Sequence, residues 1–441
     1  MTESTNTETS YPLRAPWTIF WIALFVRIAA MTFMHTWHMR PYEDHFAFGY
    51  EMGRIARALV TGFGYADPFR GHTGPTAWIP PIYPWILAAD FKLFGVYSAL
   101  AAWVILAFDS VLNALIIGPV WEIAARCFNR KVAVWSAWIW ALYPAAMQYA
   151  VKWVWEMTLS AFLFAWVVVL ALRMRRIGEK GGEAAPSARS WAVFGLVWGL
   201  IALTNPSICL FLPVCGVWVL MGVPRAALWR RQIPAAVLAA CVFVGCLAPW
   251  TYRNWKVFHT FVPVRANFGV ELYLGNGPDA TGLLMGYDHP FEDAPQLRLY
   301  HQMGEIAYAK MRGNLAKKVI AADPARFVEL CLRRVYYFWF SLPHPTDPHW
   351  YNVVGRNLNY QFTSIAALLG LALALRRKVP AAWLFFWAFL LLPLTYYAVT
   401  VHARFRHPLE PLMAILIVYL FQSAEKIWEV RWFRRSRRQA A

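Results

Sequence analysis

Apolar residues along this chain fall in long, nearly unbroken runs, at residues 17–36, 99–121, 132–148, 153–172, 191–203, 208–221, 233–249, 362–375, 381–401 and 409–421. Runs of this kind read as helices immersed in lipid, where about 20 apolar residues span the hydrocarbon layer. The pattern predicts an all-α polytopic membrane protein with about ten crossing helices. The run at 79–95 differs: it is 17 residues long and carries Pro80, Pro81 and Pro84, so it is expected to lie in the interface or to dip and return. The run at 17–36 is too long for the apolar core of a signal peptide and lacks a small-residue cleavage site, so it is expected to stay as the first helix.

Polar positions between the runs set the orientation. Short basic clusters occur at 126–131, 173–189, 225–231, 376–378 and 431–438. The positive-inside rule assigns all of them to the cytoplasm, together with both termini, and ten crossings satisfy that parity. Two segments then face outward, 38–78 and 251–356. In the first, residues 51–61 have helical spacing with Gly62 as a stop. In the second, Asp323 can cap a helix that Pro324 begins, with Phe327, Leu330, Val335 and Phe338 as its apolar stripe. Both segments are expected to be structured, along the membrane surface. The chain divides into an N-terminal membrane module with the first outer loop (1–250, loop 38–80), a large outer loop (251–356), and C-terminal membrane helices with a basic tail (357–441).

Composition agrees with this reading. Hydrophobic residues make up 59% and charged residues 15% of the 441, against about 45–50% and about 25% in a soluble domain, and 25 Trp suit headgroup-level anchoring. The formal net charge of +18 does not point to nucleic acid, because the Lys and Arg punctuate apolar runs instead of gathering on one soluble face. The six Cys show no paired or CxxC spacing, which gives no disulfide framework, zinc motif or redox motif.

Candidate chemistry lies on the outward side. At the outer end of the last helix, His402-Ala-Arg404-Phe-Arg406-His-Pro408 places fixed positive charge where the positive-inside rule leaves little, so something there should be negative. A guanidinium fork suits a phosphate, and Pro408 in the first turn leaves helix amides facing the same region. Lipid headgroups compete with a dedicated ligand for that role. Arg253 is a second outward cation. Glu43, Asp44 and Glu51 in the first outer loop are candidate general bases towards a hydroxyl. Lys152 and Glu156, four apart at the start of the fourth run, are close enough on one helix face to pair. Arg27 and Asp109, inside the membrane, are expected to neutralise each other between neighbouring helices. No His and carboxylate cluster has persuasive metal spacing, and a divalent metal is left open.

Four stretches carry a resemblance: FGYEMGRIA at 48–56 running to GFG at 62–64; GPTAWIPPIYP at 74–84; PWTYRN at 249–254 with FVPV at 261–264 and LGNGP at 274–278; and RFRHPLEP at 404–411. In these the chain resembles bacterial polytopic glycosyltransferases of the GT-C superfamily, the group that includes protein O-mannosyltransferases and the lipid A aminoarabinose transferase. The resemblance implies a sugar donor carried on a polyprenyl phosphate, inversion at the anomeric carbon, and an acidic residue of the first outer loop activating an acceptor hydroxyl. Carried onto this sequence, the base falls on Asp44 or Glu43, with Glu51 as a rival, because the position where relatives often place the acid is Phe48. Lipid-phosphate contacts fall on Arg404, Arg406 and Arg253, and further substrate contacts on His402, Lys152, Glu156 and Tyr83. The implied partners are the lipid-linked donor, a lipid, glycan or protein acceptor, and membrane lipids, without nucleic acid; the implied place is the outer face of a bacterial inner membrane. A transporter or flippase for a lipid-linked or anionic solute is the competing class, and would favour an ionisable site at mid-membrane and repeat symmetry between halves; a non-catalytic membrane scaffold is a third.

Overall fold

The computed structural model describes residues 12–39, 48–179, 185–223, 227–283, 288–341 and 350–439; side chains are described throughout these except at 12, 352 and 425–439. Among the described residues every long element is a helix. The membrane-spanning part is built from α1 (Pro16–Phe33), then α2 (Glu51–Val60) and α3 (Ile82–Phe94) at one of its ends, and α4 (Ala99–Leu115), which runs through Ile116 into α5 (Ile117–Cys127). Next come α6 (Arg130–Leu142), α7 (Pro144–Val151), α8 (Met157–Met174), α9 (Ala188–Ala202), α10 (Leu212–Leu220) and α11 (Ile233–Phe258). The second outward segment folds as α12 (Phe268–Asn276), α13 (Ala294–Met303), α14 (Glu305–Ala322) and α15 (Pro324–Trp339). The chain then continues through α16 (Trp350–Arg376), α17 (Ala382–Leu391), α18 (Leu394–Ala398) and α19 (Glu410–Gln439).

Five helices are long and apolar enough to cross a bilayer: Pro16–Phe33, Ala99–Cys127, Met157–Met174, Leu228–Phe258 and Val353–Arg376, with shorter apolar helices at Ala188–Ala202, Pro206–Leu220 and Ala382–Ala398. Two expected single runs are broken by proline, which lacks the amide an uninterrupted helix needs: the 132–148 run divides before Pro144 and the 381–401 run at Pro393. The proline-rich stretch at 79–95 contributes the 13-residue α3, which packs on α2 and α4. α2 begins at Glu51 and stops ahead of Gly62, whose φ of +91° glycine adopts freely. Asp323 caps α15 by accepting from the Arg326 amide at 2.9 Å.

The long helices are polarised. Basic clusters mark one end of α5, α8, α16 and α19. At that end Arg126 and Arg173 share Glu122 at 2.7 and 2.5 Å, and Arg126 also reaches Glu179 at 2.9 Å, tying α5 to α8. The two outward segments meet at the opposite end. Glu305, at the start of α14, accepts from the Ala77 amide at 2.7 Å, from Tyr300 Oη at 2.9 Å and from the Thr76 hydroxyl. Arg253 donates to the carbonyls of Thr76 at 2.6 Å and Tyr65 at 2.7 Å. The first outer loop is thus pinned to the second from two sides.

Two charge pairings expected from sequence are not formed. Arg27 donates to Asn113 Oδ1 at 2.9 Å and to the carbonyls of Ala23, Ala141 and Trp140 at 2.9–3.0 Å, while Asp109 accepts from Tyr83 Oη at 2.8 Å. The turn between α6 and α7, opened by Pro144, exposes free carbonyls that satisfy Arg27 without a carboxylate. Lys152 and Glu156 do not share a helix face, because α7 ends at Val151 and α8 starts at Met157; Lys152 is exposed and Glu156 buried.

Candidate functional site

At the end of the bundle away from the basic clusters lies a cavity of about 990 Å³. Its walls come from the start of α2, the segment before α8, the 205–210 turn, α12 with the residues preceding it, and the 395–405 strand of chain leading into α19. Trp78, Trp153, Trp155, Tyr50, Phe291 and Tyr396 give it apolar faces. Such walls exclude water and strengthen any charge interaction inside.

Glu51 enters the cavity from the first turn of α2. It is presented by a tight turn, with Gly49 at φ +84° and Tyr50 at φ +54°. The latter is a costly conformation for a residue with a Cβ, of order 1–3 kcal/mol, and such strain gathers at functional positions. Burial raises the Glu51 carboxyl above the ordinary range, with Arg54 and Arg404 opposing the shift and Glu271 adding to it. Glu156, buried at 9% exposure, enters beside α8 and is pushed up to about 7 by burial, against the pull of Arg404 and Arg265. Glu271 enters from α12, held by Asn267 Nδ2 at 3.0 Å, and is also raised by burial while Arg265 and Arg404 pull it down. The three carboxyls and two guanidinium groups therefore sit within one another's field, and each carboxyl is raised above its ordinary range, the direction that makes a carboxylate a stronger base.

The two arginines are the most unusual members. Arg404 lies with its guanidinium carbon 3.9 Å above the Trp155 ring centre and 5.3 Å from that of Phe405. Neither Arg404 nor Arg265 makes a hydrogen bond or ion pair with any described residue, and the Nε of each is buried without a partner. Both residues are half-buried, and a buried guanidinium nitrogen is costly to leave unpaired, so two such groups facing one cavity are an anion-binding arrangement. His289, also on the wall, accepts the Phe291 amide on Nδ1 at 3.1 Å; burial and Arg312 push it down to about 3, so it is neutral with its proton on Nε2.

Of the residues singled out by sequence, Glu51, Glu156, His402 and Arg404 meet in this cavity. Arg406, only two residues from Arg404, points the other way: it is buried in the bundle over the Tyr360 ring at 3.7 Å, with Glu410 at 3.6 Å and Ser364 Oγ at 3.1 Å. Arg253 is occupied by loop carbonyls, Tyr83 by Asp109, and Lys152 lies on the surface; none of these three lines the cavity. Glu43 and Asp44 lie outside the described residues. Arg265 and Glu271 were not anticipated. The rule that singled out Arg404, a cation on the side expected to be poor in cations, applies equally to Arg265, with Glu271 six residues further on. Among the described residues no group of three or more His, Cys, Asp or Glu is placed to hold a metal ion.

Residues 79–252 match the family model described as dolichyl-phosphate-mannose-protein mannosyltransferase. No curated protein sequence matches the chain. Among solved structures, the archaeal oligosaccharyltransferase AglB from Archaeoglobus fulgidus, in complex with an inhibitory peptide and a dolichol-phosphate, aligns over 96% of this chain and 52% of its own at TM-score 0.56 and 14% identity. The same enzyme tethered to an acceptor peptide aligns over 94% and 50% at TM-score 0.55 and 11% identity. ArnT from Cupriavidus metallidurans bound to undecaprenyl phosphate aligns over 91% and 77% at TM-score 0.38 and 16% identity. The chain thus spans about half the length of the oligosaccharyltransferase it matches. The fold is like that of this oligosaccharyltransferase, the kind of fold that the resemblance read from the sequence implied.

Proposed function

We propose that this chain is an inverting glycosyltransferase that moves a sugar from a polyprenyl-phosphate-linked donor to an acceptor hydroxyl at the outer face of a bacterial cytoplasmic membrane. The observation that carries the reading is the pair of unpartnered arginines, Arg404 and Arg265, facing raised carboxyls across one cavity. Polarity supports the outer face: the cavity lies at the end of the bundle remote from the basic clusters, which the positive-inside rule assigns to the cytoplasm. The match to a mannosyltransferase family model and the likeness to a structure carrying a dolichol-phosphate support a lipid-phosphate donor.

In the proposed reaction a carboxylate removes the proton from the acceptor hydroxyl as its oxygen attacks the anomeric carbon. The bond from that carbon to the phosphate oxygen breaks on the opposite side, which inverts the centre. The leaving polyprenyl phosphate gains one negative charge, and Arg404 and Arg265 meet it where it develops. Glu51, Asp44 and Glu43 are the candidates for the base; the Glu51 side chain lines the cavity, and the other two lie outside the described residues. His402 and Glu156 would contact the donor or acceptor.

The test is transfer of radiolabelled sugar from a panel of polyprenyl-phosphate sugars by the purified protein in lipid, with membrane extract as acceptor. Wild type should form labelled product, and Glu51→Gln should abolish it in a folded protein if Glu51 is the base; Asp44→Asn and Glu43→Gln test the others. Uptake of labelled solute into vesicles in the absence of acceptor, with no transfer from any donor, would replace this reading with the transporter.

A further inference from the structure

Arg334, on α15, is fully buried and lies outside the cavity. It donates to the carbonyls of Tyr397 at 2.9 Å and Ala398 at 3.3 Å, at the end of α18, and to Asn276 Oδ1 at 3.1 Å and the Gly275 carbonyl, at the end of α12. Among the described residues no carboxylate pairs with it. Its counter-charge is the set of free carbonyls at these two chain ends, which carry negative partial charge and have no partner within their own helix. Only a guanidinium offers enough rigidly spaced donors to serve both ends at once.

The two ends it joins are in direct contact. A Cβ on Gly275 would collide with the Val399 carbonyl oxygen, so only glycine allows the approach. Asn276 closes the junction by donating to the Ala398 carbonyl at 2.9 Å and the Leu272 carbonyl at 2.8 Å. One turn before Gly275 stands Glu271; a few residues beyond Val399 stand His402 and Arg404. Both branches leaving the junction line the cavity.

We propose that Arg334 is a positioning residue of the transfer site: by holding the last carbonyls of α12 and α18 together, it fixes the spacing between Glu271 and Arg404 across the cavity. This rests on the transferase reading above. Arg334 touches no substrate; its effect is to keep the anion-binding and acidic walls in register, and a misplacement of about 1 Å at such a site can cost on the order of a hundredfold in rate.

The experiment compares Arg334→Lys and Arg334→Met with wild type, in lipid, by donor kinetics and by hydrogen exchange of the amides at 268–276 and 397–405. Arg333→Ala, an exposed neighbour paired with Glu329, is the control. Arg334→Lys should keep a folded protein, lose exchange protection in both segments together, and lower kcat/KM about tenfold to a hundredfold. In an Arg404→Ala background the same substitution should cost less than about twofold, because a residue acting through Arg404 has nothing left to position. Equal losses in both backgrounds, or wild-type kinetics with unchanged exchange, would overturn the proposal. A wild type that transfers nothing would remove the transferase reading alone; the exchange measurement would still decide the tie, and unchanged protection in the two segments would overturn it.

Discussion

Replacing Arg404 with alanine should destroy transfer while leaving the fold nearly intact. The guanidinium makes no hydrogen bond or ion pair to any described residue, so its folding contribution is its stacking on Trp155 at 3.9 Å. Cation–π contacts are worth about 0.5–2 kcal/mol, so the melting temperature should fall by a few degrees at most. Its contribution to the reaction is larger. Two charge-assisted hydrogen bonds to the leaving phosphate at about 1.5–3 kcal/mol each give a loss of about 3–6 kcal/mol, or roughly two to four and a half orders of magnitude in kcat/KM. Arg404→Lys keeps the charge but loses the fork and the stacking plane, and should fall between the two. A second consequence is electrostatic. Arg404 is the largest force opposing the rise of the Glu156 carboxyl to about 7, so without it Glu156 should hold its proton to still higher pH. The assay is steady-state transfer of labelled sugar from a polyprenyl-phosphate donor by protein in lipid, with thermal unfolding measured on the same preparations. A folded Arg404→Ala protein with kcat/KM within about threefold of wild type would refute the reasoning, since losing even one charge-assisted bond costs about tenfold.

Glu156 makes stability depend on pH. Its folded carboxyl is raised from the ordinary 4.5 to about 7, so the folded state binds the proton more tightly; that stability is complete below pH 4.5 and is lost as pH rises through about 7. The loss is on the order of 3 kcal/mol, and Glu156→Gln should flatten the fall in melting temperature between pH 4.5 and pH 8. Arg253→Ala should act on the fold: it removes the hydrogen bonds to the Thr76 and Tyr65 carbonyls that pin the first outer loop. Thermal unfolding should show a loss of about 2–4 kcal/mol, with the donor KM of the protein that remains folded unchanged; a raised KM at full stability would return Arg253 to the binding site.

The sequence by itself determined the elements and their polarity. Apolar runs in lipid have to be helical to satisfy their own amides and carbonyls, so the runs at 17–36, 99–121 and 153–172 declared their helices without reference to the rest of the chain. The basic clusters marked one end of the bundle, and local caps such as Asp323 and the Gly62 stop were legible because they depend on three or four neighbouring residues. The breaks at Pro144 and Pro393, inside runs expected to be single helices, were not read from the pattern, although proline is a local signal. The tertiary structure alone decided which charges meet. Arg27 took carbonyls of a helix end 114 residues away in place of Asp109. Of Arg404 and Arg406, the first faces the cavity and the second the bundle, and Arg265 and Glu271 joined Arg404 from a distant loop. A buried charge takes whichever partner packing brings within about 3 Å, and that choice is made between helices remote in sequence, where neither hydropathy nor spacing carries information.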